Sequence, residues 1–182
     1  MPTPMDQLVD TSWGKAPSSV IKPRIMSRGT LLSLDLDKTR ALLTEVLGFE
    51  CAAVAPDTLL ARHRADAPGA RKDGDAPYWV LEVKRAAENP SPQKMSNHWG
   101  MWVPEKEDVD AAHALLSANM EKYGIAKVHK PRFAHEGRRD YSMYFEDTSG
   151  NWWEIDRHPI EEDFIKFFSS GDWKAPKAEA AE

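Results

Sequence analysis

The sequence predicts an α+β protein in which two βαβββ modules pair into a curved mixed sheet around a central pocket, with the helices outside. The main observation is that one order of strands and helix can be read twice along the chain. A second observation is that each half has one helix and one small sheet, which is too little to bury both sheet faces. A third is the spacing, because 54 residues separate Arg28 from Glu82 and 56 separate His98 from Glu154.

The first module is predicted over residues 25–85. Its opening strand is expected at 26–34, after which Asp37 is expected to cap a helix that ends at Gly48. Apolar residues at helical spacing support this helix. The remaining strands of the module are predicted at residues 49–54, 58–63 and 78–84.

The second module is predicted over residues 97–158, after a linker at 86–96. Its first strand is expected at 98–103, and the acidic residues that follow Pro104 favour the start of a helix that ends at Gly124. The remaining strands are predicted at residues 125–128, 141–146 and 151–156.

The two ends of the chain fall outside both modules. Residues 1–24 contain four prolines and little periodicity, so we interpret them as an irregular arm. Residues 159–182 are expected to form a C-terminal helix and a frayed tail. A homodimer is expected only because such assemblies are common.

The composition excludes several classes of protein. A net charge of -5 gives no broad basic field, so neither nucleic acid nor an acidic membrane is an expected partner. The single cysteine, Cys51, excludes an internal disulfide framework, and its apolar neighbours favour an inert core thiol. No stretch approaches the roughly 18 apolar residues of a membrane span, and the polar start is unlike a signal peptide, so we expect a cytoplasmic protein.

Polar side chains occupy matching strands of the two modules. Arg28 and Glu82 lie in the first and last strands of the first module, and His98 and Glu154 lie in those of the second. Because every second residue of a strand points to the same face, these side chains converge if the faces meet. Imidazole and carboxylate groups together suit Fe(II), Mn(II), Ni(II) or Zn(II).

The segments that carry these residues resemble a known family. The runs Asn97-His-Trp-Gly-Met-Trp-Val and Asp147-Thr-Ser-Gly-Asn-Trp-Trp-Glu-Ile look like the second module of the vicinal oxygen chelate superfamily, which includes glyoxalases, bleomycin resistance proteins and extradiol dioxygenases. The opening at Arg28 and the helix ending Glu-Val-Leu-Gly-Phe look like the first module. The resemblance covers about residues 26–157 and implies a divalent metal that two adjacent substrate oxygens chelate.

By this resemblance, His98 and Glu154 are metal ligands and Glu82 is a third ligand or a base. Arg28 stands where the family has a histidine, and a guanidinium offers no lone pair to a cation. Arg28 could pair with a carboxylate in a metal-free anion site. Alternatively, another residue such as His135 or His63 could fill the gap, or three ligands and water could suffice. Among the metals Fe(II) is favoured over Mn, Zn and Ni, and a metal-free pocket is slightly favoured over any metal.

Aromatic and loop residues complete the predicted site. Trp102 and Trp152 share strand faces with the two second-module ligands and are expected to wall a pocket for a flat substrate, with Tyr144 as a further contact. His135 lies in a loop before a strand and is expected to move a proton or contact the substrate.

The sequence therefore favours an enzyme that acts on an aromatic or hydroxylated molecule, by a ring-cleaving dioxygenase-like or a glyoxalase-like lyase or isomerase reaction. One alternative is a metal-free enzyme in which Arg28 stabilises an anion and Glu82 or His135 moves the proton. Another is a non-catalytic binder of the drug-sequestering type, which needs only an aromatic-walled pocket. Turnover that His98→Ala abolishes would separate the enzyme from the binder.

Overall fold

The computed structural model describes residues 29–62, 80–133 and 140–158. Among the predicted features, Arg28, His135, the arm at 1–24 and the C-terminal helix and tail at 159–182 lie outside these ranges. The chain divides into two compact units between Pro90 and Ser91, and each unit is described by itself. Among the described helices, none has the length and apolar character that a membrane crossing needs.

The first unit contains one four-stranded sheet and one helix, α1 (Leu36–Ala41), which continues into a π-helical turn at Leu42–Val46. Its strands are β1 (Gly29–Ser33), β2 (Glu50–Ala55), β3 (Thr58–Arg62) and β4 (Val80–Arg85). They lie in the order β1-β4-β3-β2, with β1 parallel to β4 and the other pairs antiparallel. The predicted βαβββ order is confirmed, and its last strand lies between the first and the third.

Helix α1 begins earlier than the sequence predicts. Asp35 has an extended backbone, and its Oδ1 accepts hydrogen bonds from the amides of Asp37 and Lys38, each at 3.1 Å. Asp37 therefore lies inside the first turn, and the prediction that it caps the helix is wrong. The predicted end at Gly48 is confirmed, because its φ of +71° is the left-handed conformation that glycine adopts most readily.

Strand β2 lies at the edge of its sheet and is mostly exposed although its residues are apolar. Cys51, in this strand, is partly exposed, so the prediction that it belongs to the core is wrong. This prediction failed because β2 is an edge strand, and among the described residues no second layer of structure covers its apolar side chains. Partial burial still raises the pKa of the Cys51 thiol, which keeps it protonated and unreactive.

The second unit repeats the order and adds one short strand. Its helices are α2 (Lys106–Ala118) and α3 (Met120–Tyr123), and its strands are β5 (Trp99–Trp102), β6 (Ile125–Val128), β7 (Arg132–Phe133), β8 (Tyr141–Asp147) and β9 (Trp152–Arg157). The sheet order is β5-β9-β8-β6, with β5 parallel to β9, and β7 also pairs with β8. The α+β class is confirmed, while β7 was not predicted.

The sheet of the second unit has two different faces. One face holds the fully buried side chains of Trp153 and Phe145, whose ring centroids lie 6.2 Å apart, and Val109 and Leu116 of α2 are buried as well. The other face carries the alternate residues, which include Trp102, Tyr144, Trp152, Glu154 and Asp156. We call this second face the site face.

Candidate functional site

The site face brings together the two predicted ligands of the second module. His98 lies just before β5, and its Nε2 is 2.8 Å from Oε2 of Glu154 on β9. Both side chains remain partly accessible, with 25% and 18% of their surfaces exposed. The other ring nitrogen of His98, Nδ1, lies 2.7 Å from the carbonyl oxygen of Met95.

The Met95 carbonyl determines which nitrogen of His98 carries the proton. Because a carbonyl oxygen only accepts, Nδ1 must donate, and a neutral ring then directs the Nε2 lone pair at the Glu154 carboxylate. Two lone pairs at this distance do not attract each other, so a proton or a cation must lie between Nε2 and Oε2. A histidine that donates from one nitrogen to a backbone carbonyl is also the arrangement that orients metal-binding histidines.

The pair therefore fits two positions around a divalent ion. An imidazole nitrogen and a carboxylate oxygen are ligands that Fe(II), Mn(II) and Zn(II) accept. Within residues 29–62, 80–133 and 140–158 there is no group of three or more His, Cys, Asp or Glu side chains that could hold a metal. The fit accordingly rests on His98 and Glu154.

The segment before β5 is tied to the start of β9. The amide of Gln93 donates to the carbonyl of Gly150, and the side-chain oxygen of Gln93 accepts from the amide of Trp152, both at 2.9 Å. These bonds fix the backbone that presents the Met95 carbonyl to His98. Sequence reasoning missed this role because it treated residues 86–96 as a linker, and no side-chain pattern marks a backbone carbonyl.

Tyr144 lies directly opposite Glu154 in the antiparallel β8–β9 pair. Its ring meets the His98 ring edge-on, with centroids 5.1 Å apart. Burial, followed by the hydrogen bond to Glu154, raises the pKa of the Tyr144 hydroxyl to about 12. At neutral pH the hydroxyl is therefore protonated, and it donates to the Glu154 carboxylate and restrains it.

The turn before β9 is held by one buried carboxylate. Oδ1 of Asp147 accepts from the amides of Ser149 and Asn151 at 2.9 and 3.0 Å, and Oδ2 accepts from Asn151 Nδ2 and Trp153 Nε1 at 2.9 and 3.3 Å. Burial raises the pKa of Asp147, and these hydrogen bonds oppose the shift. Because β9 starts from this turn, Asp147 also sets where Glu154 lies.

The two predicted tryptophans lie in different surroundings on the site face. Trp152 is buried, and its ring contacts the His129 ring at a centroid distance of 5.6 Å. Trp102 is 37% exposed, and its Nε1 donates to the carbonyl of His158 at 2.9 Å. Trp102 thus offers an open aromatic surface, whereas Trp152 packs against its neighbours.

Three further polar residues lie on this face without having been predicted as site residues. Asp156 follows Glu154 by two positions and contacts Nδ1 of His158 through Oδ2. The amide of His129 donates to the carbonyl of Tyr144 at 2.8 Å, which places His129 opposite Tyr144. Alternation along β9 is the signal that could have found Asp156 and His158 as site residues.

His129 is partly buried, and its Nε2 has no hydrogen-bond partner within the described ranges of the chain. Burial lowers the pKa of the His129 ring, and the nearby cations of Lys127 and Arg132 lower it further. The ring is therefore neutral at pH 7.

The remaining predicted site residues lie in the first unit or outside the described residues. Glu82 belongs to β4 of the first unit, where its side chain is 19% exposed and its Oε2 lies 3.7 Å from Nζ of Lys84. Arg28 and His135 lie outside the described residues. The roles of these three residues stay predictions.

Comparisons with known proteins agree with the fold. The sequence profile of the Glyoxalase/Bleomycin resistance protein/Dioxygenase superfamily matches residues 28–155. No curated protein matches the sequence. Several solved structures do match, at sequence identities that show the fold alone.

One of these structures is the fosfomycin resistance protein FosX from Listeria monocytogenes with Mn(II) and sulfate, at 17% identity and a TM-score of 0.55, covering 79% of this chain and 96% of that one. A mutant of the same protein with Mn(II) and 1S,2S-dihydroxypropylphosphonic acid matches at 17% identity and a TM-score of 0.54, covering 76% and 93%. A glyoxalase/bleomycin resistance protein/dioxygenase from Nocardioides matches at 18% identity and a TM-score of 0.51, covering 79% and 89%.

The profile match covers most of the 182 residues and includes parts of both units. The chain therefore belongs to the glyoxalase/bleomycin resistance protein/dioxygenase superfamily.

Proposed function

We propose that this protein is a metal-dependent enzyme of the vicinal oxygen chelate type, acting on a small molecule with two adjacent oxygens. The observation that carries the proposal is the orientation of His98, whose Nδ1 donates to the Met95 carbonyl while Nε2 faces Glu154 at 2.8 Å. A divalent ion bound there would act as a Lewis acid that stabilises negative charge developing on a substrate oxygen.

The neighbouring residues support this role. Met95 keeps the His98 ring in the tautomer that leaves Nε2 available, and Tyr144 donates a hydrogen bond to Glu154 that limits its movement. Glu82 is proposed as a third ligand or as the base that takes a substrate proton. His135 is proposed as a further acid or base.

The ion is proposed by analogy with the structural relatives. FosX has been solved with Mn(II), and in one structure with a phosphonic acid that carries two adjacent hydroxyl groups. Mn(II) is therefore tested beside Fe(II), Zn(II) and Ni(II). The substrate is proposed to be aromatic or hydroxylated, and the reaction to be ring-cleaving or of the lyase or isomerase kind.

Arg28 is the position at which this sequence departs from the family's ligand pattern, and the proposal must account for it. It stands where the family has a histidine, so a functional ion requires Arg28 to point away from Glu154 or another residue to complete the ligands. The metal-free alternative makes Arg28 the centre of an anion site.

Metal analysis of the full chain, purified anaerobically and reconstituted separately with each ion, tests the proposal. We expect about one ion per chain in the wild type and loss of the ion in His98→Ala and in Glu154→Gln, because each substitution removes a ligand. His113→Ala, in helix α2 rather than on the site face, is the matched control and should retain the ion.

Two results would contradict the proposal. One is the absence of stoichiometric metal in the wild type after reconstitution with all four ions. The other is metal content that is equal in the wild type and in His98→Ala. Either result would leave Arg28 as the centre of a metal-free pocket, and ligand binding would be measured before activity.

A further inference from the structure

Trp102 is a large aromatic side chain that remains open on the site face. It is 37% exposed, yet its indole is fixed, because Nε1 donates to the His158 carbonyl at 2.9 Å. A fixed and open indole offers its π face to a planar ring or a cation, and little side-chain entropy is lost when a ligand binds.

A carboxylate lies beside this indole. Trp102 and Asp156 are register partners in the parallel β5–β9 pair, so their side chains leave the same face about 5 Å apart. The Asp156 side chain is 16% exposed, and its Oδ2 contacts Nδ1 of His158. An ionised carboxylate can accept about four hydrogen bonds, so His158 orients Asp156 and leaves acceptor capacity for a ligand.

The charges around Asp156 favour a positive ligand over a negative one. Within the described residues, the groups besides His158 that act electrostatically on Asp156 are the carboxylates of Glu154 and Asp140. A second anion here would be repelled by three carboxylates, whereas an ammonium group would be attracted by them and by the indole face.

We propose that Trp102 and Asp156, oriented by His158, form a subsite for a planar ring that carries an amine. This inference deepens the proposed function and rests on it only for the oxygen-bearing end of the substrate. Glu154 and Asp156 are two residues apart on β9, or about 6.7 Å. The two positions are therefore close enough for one small substrate to contact both.

Binding of phenethylamine by the full chain tests the subsite, because this probe has a ring and an ammonium group but no adjacent oxygens to chelate a metal. Isothermal titration calorimetry should show binding to the wild type that weakens about tenfold or more in Trp102→Leu and in Asp156→Asn. Trp102→Phe keeps a ring and should retain most of the affinity. Phe133→Leu, which removes an exposed aromatic ring from β7, is the matched control and should bind like the wild type.

The anionic isostere 3-phenylpropionate supplies the opposite test. It should not bind the wild type measurably, and it should gain affinity in Asp156→Asn because one repelling charge is removed. Equal binding of the two probes, equal affinity of phenethylamine in all variants, or no binding to the wild type would each overturn the subsite.

The outcome is distinguishable from failure of the proposed function. Trp102→Leu and Asp156→Asn leave His98 and Glu154 in place, so their metal content should equal that of the wild type. A chain that binds phenethylamine but no metal would retain the subsite and lose the chelate proposal. A chain that binds metal but not phenethylamine would retain the chelate proposal and lose the subsite.

Discussion

At the scale of single residues, the site depends on groups that have no distinctive sequence pattern. The Met95 carbonyl fixes the tautomer of His98, and the Tyr144 hydroxyl restrains Glu154. Sequence reasoning found His98, Tyr144 and Glu154 through motif position and strand alternation. It could not find the Met95 carbonyl, because every residue has a carbonyl and only the folded backbone aims one at an imidazole.

His129 is expected to weaken the protein as the pH falls below neutral. Burial lowers the pKa of its ring, so the unfolded chain takes up this proton at a higher pH than the folded chain does. The contribution of His129 to the free energy of unfolding is therefore complete above the ordinary histidine pKa of about 6.5, and it is lost as the pH drops through the lowered value.

Urea unfolding of the wild type and His129→Gln at several pH values between about 7.5 and 5 measures this effect. The variant should lose less stability over the range than the wild type does, because it has no imidazole to protonate. His113→Gln on α2 controls for the removal of a histidine, and it should follow the wild type. Identical pH dependence in the wild type and His129→Gln would show that burial does not lower the pKa of the His129 ring.

At the scale of elements, the β8–β9 turn is the feature on which the site depends most. Asp147→Ala removes the acceptor for two amides, the Asn151 side chain and the Trp153 indole, all in a buried turn. We expect the free energy of unfolding to fall by about 3 kcal/mol or more, since several buried donors lose their partner.

Urea denaturation of Asp147→Ala beside Thr148→Ala measures this loss. Thr148 is exposed in the same turn, and its amide donates to the Gly124 carbonyl, a backbone bond that alanine keeps. Thr148→Ala should therefore stay within about 0.5 kcal/mol of the wild type. A loss below about 1 kcal/mol in Asp147→Ala would mean that water replaces the carboxylate and that the turn holds without it.

The elements themselves were largely predictable, and their exceptions have local causes. Hydrophobic periodicity predicted α2, and Gly48 and Gly124 follow the last helical turns as predicted. The end of α2 at Ala118 and the separate helix α3 were not predicted, because the helical spacing of apolar residues continues to Tyr123. The cap was misplaced because Asp35 and Asp37 both suit a helix start, and only the backbone conformation distinguishes them. Strand β7 has two residues, too few for alternation to appear.

At the scale of the whole molecule, metal binding and folding should be linked. If His98 and Glu154 hold an ion in the folded chain alone, Mn(II) at about 100 times its dissociation constant adds about 2.7 kcal/mol to the free energy of unfolding. The wild type and His113→Ala should then melt several degrees higher with Mn(II) than without it. Differential scanning calorimetry with and without Mn(II) measures the shift, and an equal shift in Glu154→Gln would place the ion elsewhere.

The division into two units was also visible in the sequence, because the same elements recur at similar spacing. The sequence did not show whether the proposed metal site has all its ligands, and the reason is chemical. Arg28 breaks the expected ligand pattern at one position, and a sequence does not say whether a guanidinium turns toward a carboxylate or away from it. Prediction therefore extends to the His98–Glu154 pair of the second unit and ends at Arg28.

In both units the last strand is inserted beside the first, so β4 pairs with β1 and β9 pairs with β5. During translation, β5 leaves the ribosome long before the strand that it pairs with, and closing such a distant contact is slow. After His98, the ribosome synthesises α2, β6 and β8 before Glu154 emerges. A nascent or truncated chain that stops before residue 152 consequently carries the histidine without its carboxylate, and the contact between His98 and Glu154 forms among the final steps of folding.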